Sequence, residues 1–199
     1  MTVRGPRRDG QAGITMVEMA VVVGLLGLVL AMAFQSLNAY QDAASGSDAR
    51  QRNLDQARVV MAVLTKDLRT ATRFGALAAA DVTFTGLLNV GAVAPPNQVR
   101  LYVDAQGALR EAITPPDNPN ASPVTYTGTP ATRVVGEGLV DTGNLLSFRD
   151  AADDPTTTPS EVASVVVTLS VDLPAAVEVP PTVLTSRVFL PNVAAASGA

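Results

Sequence analysis

The most prominent pattern in the chain is an unbroken apolar block near its start. Residues 14–34 read ITMVEMAVVVGLLGLVLAMAF, which is 21 residues with a single charged side chain, Glu18. A helix rises about 1.5 Å per residue, so this block spans roughly 30 Å, the thickness of the hydrocarbon core of a bilayer. Residues 1–13 carry net positive charge, and positive flanks stay in the cytoplasm. The pattern predicts a single-pass helix in the cytoplasmic membrane, with residues 1–13 inside and the remainder outside.

The following residues change to a helical period with one apolar face. Residues 35–50 are compatible with helix, with a weak point at Gly46, because glycine costs about 1 kcal/mol against alanine in a helix interior. Apolar residues then recur at intervals of three and four: Leu54, Ala57, Met61, Leu64, Leu68 and Ala71. Charged residues fill the other faces: Asp55, Arg58, Lys66, Asp67, Arg69 and Arg73. This pattern predicts an amphipathic helix that ends near Phe74-Gly75 and is covered by a sheet.

After Gly75 the residues favour strands and turns. The predicted strands are Val82–Thr85, Gln98–Asp104, Ala108–Ile113, Thr132–Val135, Leu145–Arg149, Val162–Leu173 and Thr182–Leu190. Short connections between them favour antiparallel pairing, with residues 98–113 forming a hairpin. We therefore predict an α+β fold, in which one long N-terminal helix, half membrane and half amphipathic, packs on an antiparallel sheet. The predicted segments are 1–13 as a leader, 14–74 as the helix, 75–192 as the β-rich domain and 193–199 as a flexible tail.

Composition restricts the chemistry that the chain can perform. It has no cysteine and no histidine, which excludes disulfides, Cys/His zinc sites and His-based catalytic triads. A net charge of −4 predicts no basic face for nucleic acid. Asp150, Asp153 and Asp154 form a weak candidate site for calcium, although their spacing matches no EF-hand. We expect no enzymatic activity and no cofactor.

Three interpretations of the apolar block compete. It is a plain anchor, a secretory signal peptide cut after Ala33 that releases a soluble β-domain, or a segment that begins at a leader cleavage site. Glu18 favours the third, because a carboxylate within a membrane segment costs on the order of a few kcal/mol. If cleavage follows Gly13, the new amine of Ile14 lies about one helical turn from Glu18. Pairing between the two charges is strong in a low dielectric.

The segment Gly13-Ile14-Thr15-Met16-Val17-Glu18 resembles the cleavage and methylation motif of type IV pilin-like proteins. That motif has a glycine, an apolar residue, threonine, two apolar residues and glutamate; the family usually has phenylalanine at the position of Ile14. The resemblance implies that a prepilin peptidase cuts after Gly13 and methylates the Ile14 amine. It also implies that Glu18 meets the amine of a neighbouring subunit during filament assembly. A long helix that is half membrane segment and half packed on a sheet is the pilin architecture.

A second feature of the block favours helix association. The small residues Ala20, Gly24, Gly27 and Ala31 are spaced by four, three and four, which places them on one helix face. Small residues on one stripe let helices approach closely in lipid or in a filament core.

The order of elements is similar to the J-type minor pseudopilins of type II secretion. The similarity rests on Met61–Arg69 at the helix end, Leu139-Val140 before Leu145–Asp150, and the closing stretch Ser186–Asn192. It implies a minor pilin or pseudopilin near a filament tip. The implied partners are prepilin peptidase, other pilin or pseudopilin subunits, an inner-membrane assembly platform and membrane lipid. A major structural pilin for adhesion, motility or DNA uptake, and the secreted soluble β-domain, are the alternatives.

Overall fold

The computed structural model describes residues 15–87 and 96–196. The chain divides into two compact units, Met1–Ala44 and Ser45–Ala199. Helix α1 (Met16–Arg69) contributes residues to both, and its helical assignment continues through the predicted weak point at Gly46. In the first unit, every described residue is helical or directly precedes the helix, and every one is exposed.

Helix α1 ends at Arg69, so the predicted end near Phe74-Gly75 is wrong. Thr70 closes the last turn, because its backbone N–H (3.0 Å) and its hydroxyl (2.6 Å) both donate to the carbonyl oxygen of Asp67. The Asn192 side-chain amide donates to the carbonyl oxygen of Arg69 at 3.0 Å, which satisfies one of the carbonyls left free at a helix end. The chain then turns directly into a strand.

The first sheet is a five-stranded antiparallel meander in which sequence neighbours pair. Its strands are β1 (Ala71–Ala78), β2 (Asp81–Gly86), β3 (Asn97–Val103), β4 (Leu109–Thr114) and β5 (Ala131–Gly136). The predicted hairpin is confirmed as β3 and β4, with Val103 opposite Leu109. Its turn contains Gly107 at φ +75°, where a Cβ would lie 2.7 Å from the carbonyl oxygen of Leu139, so glycine is required there.

The second sheet is built around one long strand. Its members are β6 (Leu139–Val140), β7 (Leu146–Arg149), β8 (Ser164–Val171) and β9 (Thr182–Phe189). Strand β9 pairs antiparallel with β8 along its whole length, while β6 and β7 pair with opposite ends of the other edge of β8. The predicted strands near 145–149, 162–173 and 182–190 are therefore confirmed.

One hydrophobic core joins the second half of α1 to both sheets. Phe74 on β1 lies between them, with its ring centroid 5.8 Å from that of Phe84 on β2 and 6.0 Å from that of Phe148 on β7. The buried helix positions are Gly46, Ala49, Asn53, Ala57, Val60, Leu64, Asp67 and Leu68. This stripe keeps the predicted spacing of three and four but includes two polar residues, so the prediction that Asp67 lies on an outer face is wrong.

The C-terminal residues form a short helix, α2 (Pro191–Ala196). Proline suits a first helical position, because its missing N–H has no intrahelical acceptor there. Val193 is buried in the core. The predicted flexible tail from Val193 is therefore wrong for residues 193–196, and residues 197–199 lie outside the described part of the chain.

Candidate functional site

The first half of α1 is an apolar surface with no covering layer in the described chain. Its large apolar side chains are about half exposed or more, from Leu30 at 49% to Met16 at 91%. A soluble monomer rarely leaves so continuous an apolar surface in contact with water. By length and composition, α1 includes one segment near the N-terminus that could cross a membrane. The described residues thus contain an apolar helix face that requires either lipid or other protein.

The helix begins at Met16, and Thr15 directly before it is the capping residue. The Thr15 hydroxyl accepts a hydrogen bond from the backbone N–H of Glu18 at 3.3 Å, and the Thr15 carbonyl accepts one from Met19 at 3.1 Å. Thr15 and Glu18 have the spacing of a capping box, in which a hydroxyl residue at the cap precedes an acidic residue by three. A carboxylate in the first turn also faces the positive end of the helix dipole.

Within the apolar block, Glu18 is the one carboxylate among the described residues 15–34. Among the described residues, its carboxylate has no ion-pair or hydrogen-bond partner. A helical cap explains why an acid is compatible with this position, whereas an apolar environment makes an unpaired ionised carboxylate there costly. Gly13 and Ile14, the residues of the predicted cleavage and N-methylation site, lie outside the described residues.

The predicted small-residue stripe lies on α1 as a narrow band. At about 100° per residue, Ala20, Gly24, Gly27 and Ala31 fall within roughly 60° of arc. All four are exposed, and a Cβ built on Gly24 or Gly27 would meet nothing within 4 Å. Glu18 lies about 150° around the helix from the centre of this band. The stripe and the carboxylate therefore point to different sides of the same helix.

Comparisons with known proteins gave no match. No protein-family model, curated protein or solved structure matched this chain. The structure itself is that of one long N-terminal apolar helix with an antiparallel β-sheet domain, which is compatible with a pilin-like shape.

The acidic loop that was the weak calcium candidate does not gather its carboxylates around one point. Asp150 accepts hydrogen bonds from the backbone N–H groups of Ala152 and Asp154, each at 2.9 Å, so its side chain organises the loop. The Asp153 carboxylate forms an ion pair with Arg187 at 2.6 Å. Among the described residues, no group of three acidic side chains is arranged to hold a metal ion.

Sequence reasoning missed a second group of charges, which lies between α1 and the first sheet. Asp67 on α1 is 2% exposed and Glu111 on β4 is 0% exposed. The Nε of Arg133, on β5, donates a hydrogen bond to Oε2 of Glu111, and its own side chain is 59% exposed. Asp67 Oδ2 and Glu111 Oε1 are buried and receive no N–H or O–H donor when both acids are ionised. The guanidinium pairs with Glu111 alone, and Asp67 lies within hydrogen-bond reach of the Glu111 side chain.

The electrostatics of this group follow from its burial. Desolvation raises the pKa of Asp67 from its ordinary value of 3.8 to about 6, and the charge of Glu111 adds to the increase. Arg133 and Lys66 lower the pKa of Asp67, but by less. The hydrogen bond to Glu111 raises the pKa of Arg133 above its ordinary value. The helical spacing could have revealed Asp67, because position 67 continues the buried series through 57, 60 and 64.

Proposed function

We propose that this chain is a minor pilin or pseudopilin subunit that is inserted in the cytoplasmic membrane and assembled into an extracytoplasmic filament through the first half of α1. One observation carries the proposal: a helix that is apolar on every side through residue 34, apart from Glu18, and whose second half is packed into the core of a β-domain. The second half satisfies its apolar face within the chain. The first half has no such layer in the described residues, so its surface is available to lipid first and to neighbouring helices afterwards.

The positions of polar and small residues support assembly over simple anchoring. An anchor gains nothing from an unpaired carboxylate, whereas a subunit can pair Glu18 with the amine of a neighbour. The small-residue stripe faces the other side of the helix, where a second neighbour could pack closely. Contacts on two sides of one helix are what a filament core needs and what a lone membrane span does not.

The processing and the machine belong to the same proposal. A prepilin peptidase would cut after Gly13 and methylate the amine of Ile14, leaving residues 1–13 in the cytoplasm and the β-domain outside. An inner-membrane assembly platform would then extract the subunit from lipid into a filament of a type II secretion system or type IV pilus. The similarity to J-type pseudopilins favours a minor subunit near the tip. The role proposed is structural packing, with no catalytic step.

Replacing Glu18 tests this proposal. In a host with a prepilin peptidase and a filament system, we expect Glu18→Ala to leave leader cleavage intact and to reduce incorporation into sheared filaments at least about tenfold. The reason is that an unpaired neighbouring amine in an apolar core costs several kcal/mol, and each 1.4 kcal/mol is a factor of ten. The measurement is the ratio of subunit in the sheared fraction to subunit in the membrane.

Asp42→Ala provides the matched control, since Asp42 is an exposed carboxylate on the same helix beyond the apolar block. This control should be incorporated like the unaltered chain. Equal incorporation of Glu18→Ala and Asp42→Ala would contradict a role for Glu18 in assembly.

A further inference from the structure

We propose that Asp67 keeps its proton in the folded chain and donates it in a hydrogen bond to Glu111, and that this hydrogen bond fastens the last turns of α1 to strands β4 and β5. The inference begins with the two buried oxygens that lack a partner, Asp67 Oδ2 and Glu111 Oε1. A carboxylate oxygen can only accept a hydrogen bond, so two ionised groups cannot satisfy each other. When one group is protonated, its O–H donates to the other, and the pair forms a hydrogen bond between a neutral acid and an anion.

The balance of charge in the site leads to the same assignment. With both acids ionised, the buried group carries two negative charges against one guanidinium, that of Arg133. Burying an uncompensated charge destabilises a fold by several kcal/mol, whereas one retained proton makes the group neutral. Lys66 on α1 is the other cation that acts on Asp67, but its side chain is exposed and its influence is smaller than that of Arg133.

Charged groups from three elements act on Asp67. In the described chain, the charged groups that act on it are Glu111 from β4, Arg133 from β5 and Lys66 from α1. Residues 88–95, which connect β2 to β3, contain no ionisable side chain. The proton is therefore held by the carboxyl pair and its single guanidinium, and no nearby group replaces it when it leaves.

Asp67 lies where a small loosening would have a local structural effect. Its carbonyl oxygen accepts both hydrogen bonds from Thr70 that end α1. Val60, Leu64 and Leu68 pack on the same helix face. Loss of the Asp67 proton would place like charges between this face and the sheet, and α1 would open more often from its last turns. The pair acts as a pH-sensitive latch that is closed in acid.

The sign of the pH dependence follows from burial. The folded chain keeps a proton on Asp67 up to about pH 6, because burial raises the pKa of Asp67 to about 6, whereas the unfolded chain loses it near the ordinary value of 3.8. The latch therefore stabilises the fold fully below about pH 4, and this stabilisation is lost as the pH rises through 6. Asp104 and Asp117 act in the opposite direction, since hydrogen bonds lower the pKa of each, so the test must compare variants at the same pH.

Hydrogen exchange of the full chain in detergent micelles tests the latch. Asp67→Asn keeps the shape of the side chain and supplies a permanent N–H donor to the Glu111 carboxylate. We expect amides of residues 60–69 to exchange at similar rates in the two proteins near pH 4.5. Near pH 7.5 they should exchange faster in the unaltered chain, with the ratio of rates rising roughly 25-fold from its value at pH 4.5, because part of the linkage between 3.8 and about 6 is already lost at pH 4.5. Comparison at one pH cancels the intrinsic exchange rate.

Two controls keep the result unambiguous. Asp48→Asn removes an exposed carboxylate on the same helix and should show no pH-dependent difference from the unaltered chain. Amides of β8 that exchange through global unfolding should change by the same factor, because global unfolding also exposes Asp67. If Asp67→Asn fails to fold, Glu111→Gln removes the same acid pair and should shift the ratio in the same direction. A ratio in residues 60–69 that does not change with pH, or one that changes in β8 and not in residues 60–69, would overturn the latch.

Discussion

The two halves of helix α1 differ in how their apolar side chains are covered. In the half before Ser45, apolar residues occur on all sides, every described residue is exposed, and Glu18 has no partner within the described chain. In the half from Ser45 onward, one face is buried against two sheets, and Asp67 meets a carboxyl group and a guanidinium. The difference lies in what surrounds each half. The second half is complete within one chain, whereas the first requires lipid or another molecule.

Truncating one leucine in each half should show this difference in packing most clearly. Leu64→Ala should lower the free energy of unfolding of the full chain in detergent by about 3 kcal/mol, because Leu64 is fully buried and its loss leaves a cavity. Leu26→Ala should change it by less than about 0.5 kcal/mol, because Leu26 is 56% exposed among the described residues. Urea titration of the β-domain signal measures both. Similar losses in the two variants would mean that the first half also packs on the domain.

Two glycines test how closely the second half of α1 is held. A Cβ at Gly136 on β5 would clash with Cγ2 of Val60, so Gly136→Ala should destabilise the domain by about 1–3 kcal/mol. A Cβ at Gly46 would lie 3.8 Å from Cγ1 of Val179, an ordinary contact. Gly46→Ala should therefore stabilise the domain by about 0.5–1 kcal/mol, through helix propensity. Thermal unfolding of both variants measures these changes in stability. Changes of the same sign would contradict the described spacing between the helix and the sheet.

The sequence predicted the parts of the fold that depend on local pattern. The apolar period of the second half of α1, the β3–β4 hairpin and the alternating strands β8 and β9 all follow from side-chain spacing and turn residues. Strand β1 could not be predicted in this way. Its residues Ala71–Ala78 include alanine, leucine and arginine, which favour helix, and Gly75 looks like a helix stop. Pairing with β2 and burial of Phe74 override that preference.

The candidate sites also differ in whether local sequence reveals them or only the folded chain brings their residues together. Glu18 and the small-residue stripe could be found from sequence, because their significance is their position within an apolar block. The group of Asp67, Glu111 and Arg133 could not, since its members come from three elements that meet only in the folded domain. Val193 illustrates the same limit, because a short segment rich in alanine gives no local sign that its valine reaches the core.

Determining the mature N-terminus tests the proposed filament subunit most directly. Mass spectrometry of the full-length product, recovered from the membranes of a host with a prepilin peptidase, should find a chain that begins with N-methylated Ile14. That result would establish the processing on which assembly through α1 depends. A chain that begins at Phe34 would mean cleavage as a secretory signal peptide, and a chain that still begins at Met1 would mean an uncleaved anchor. Either of these two results would contradict the proposed filament subunit.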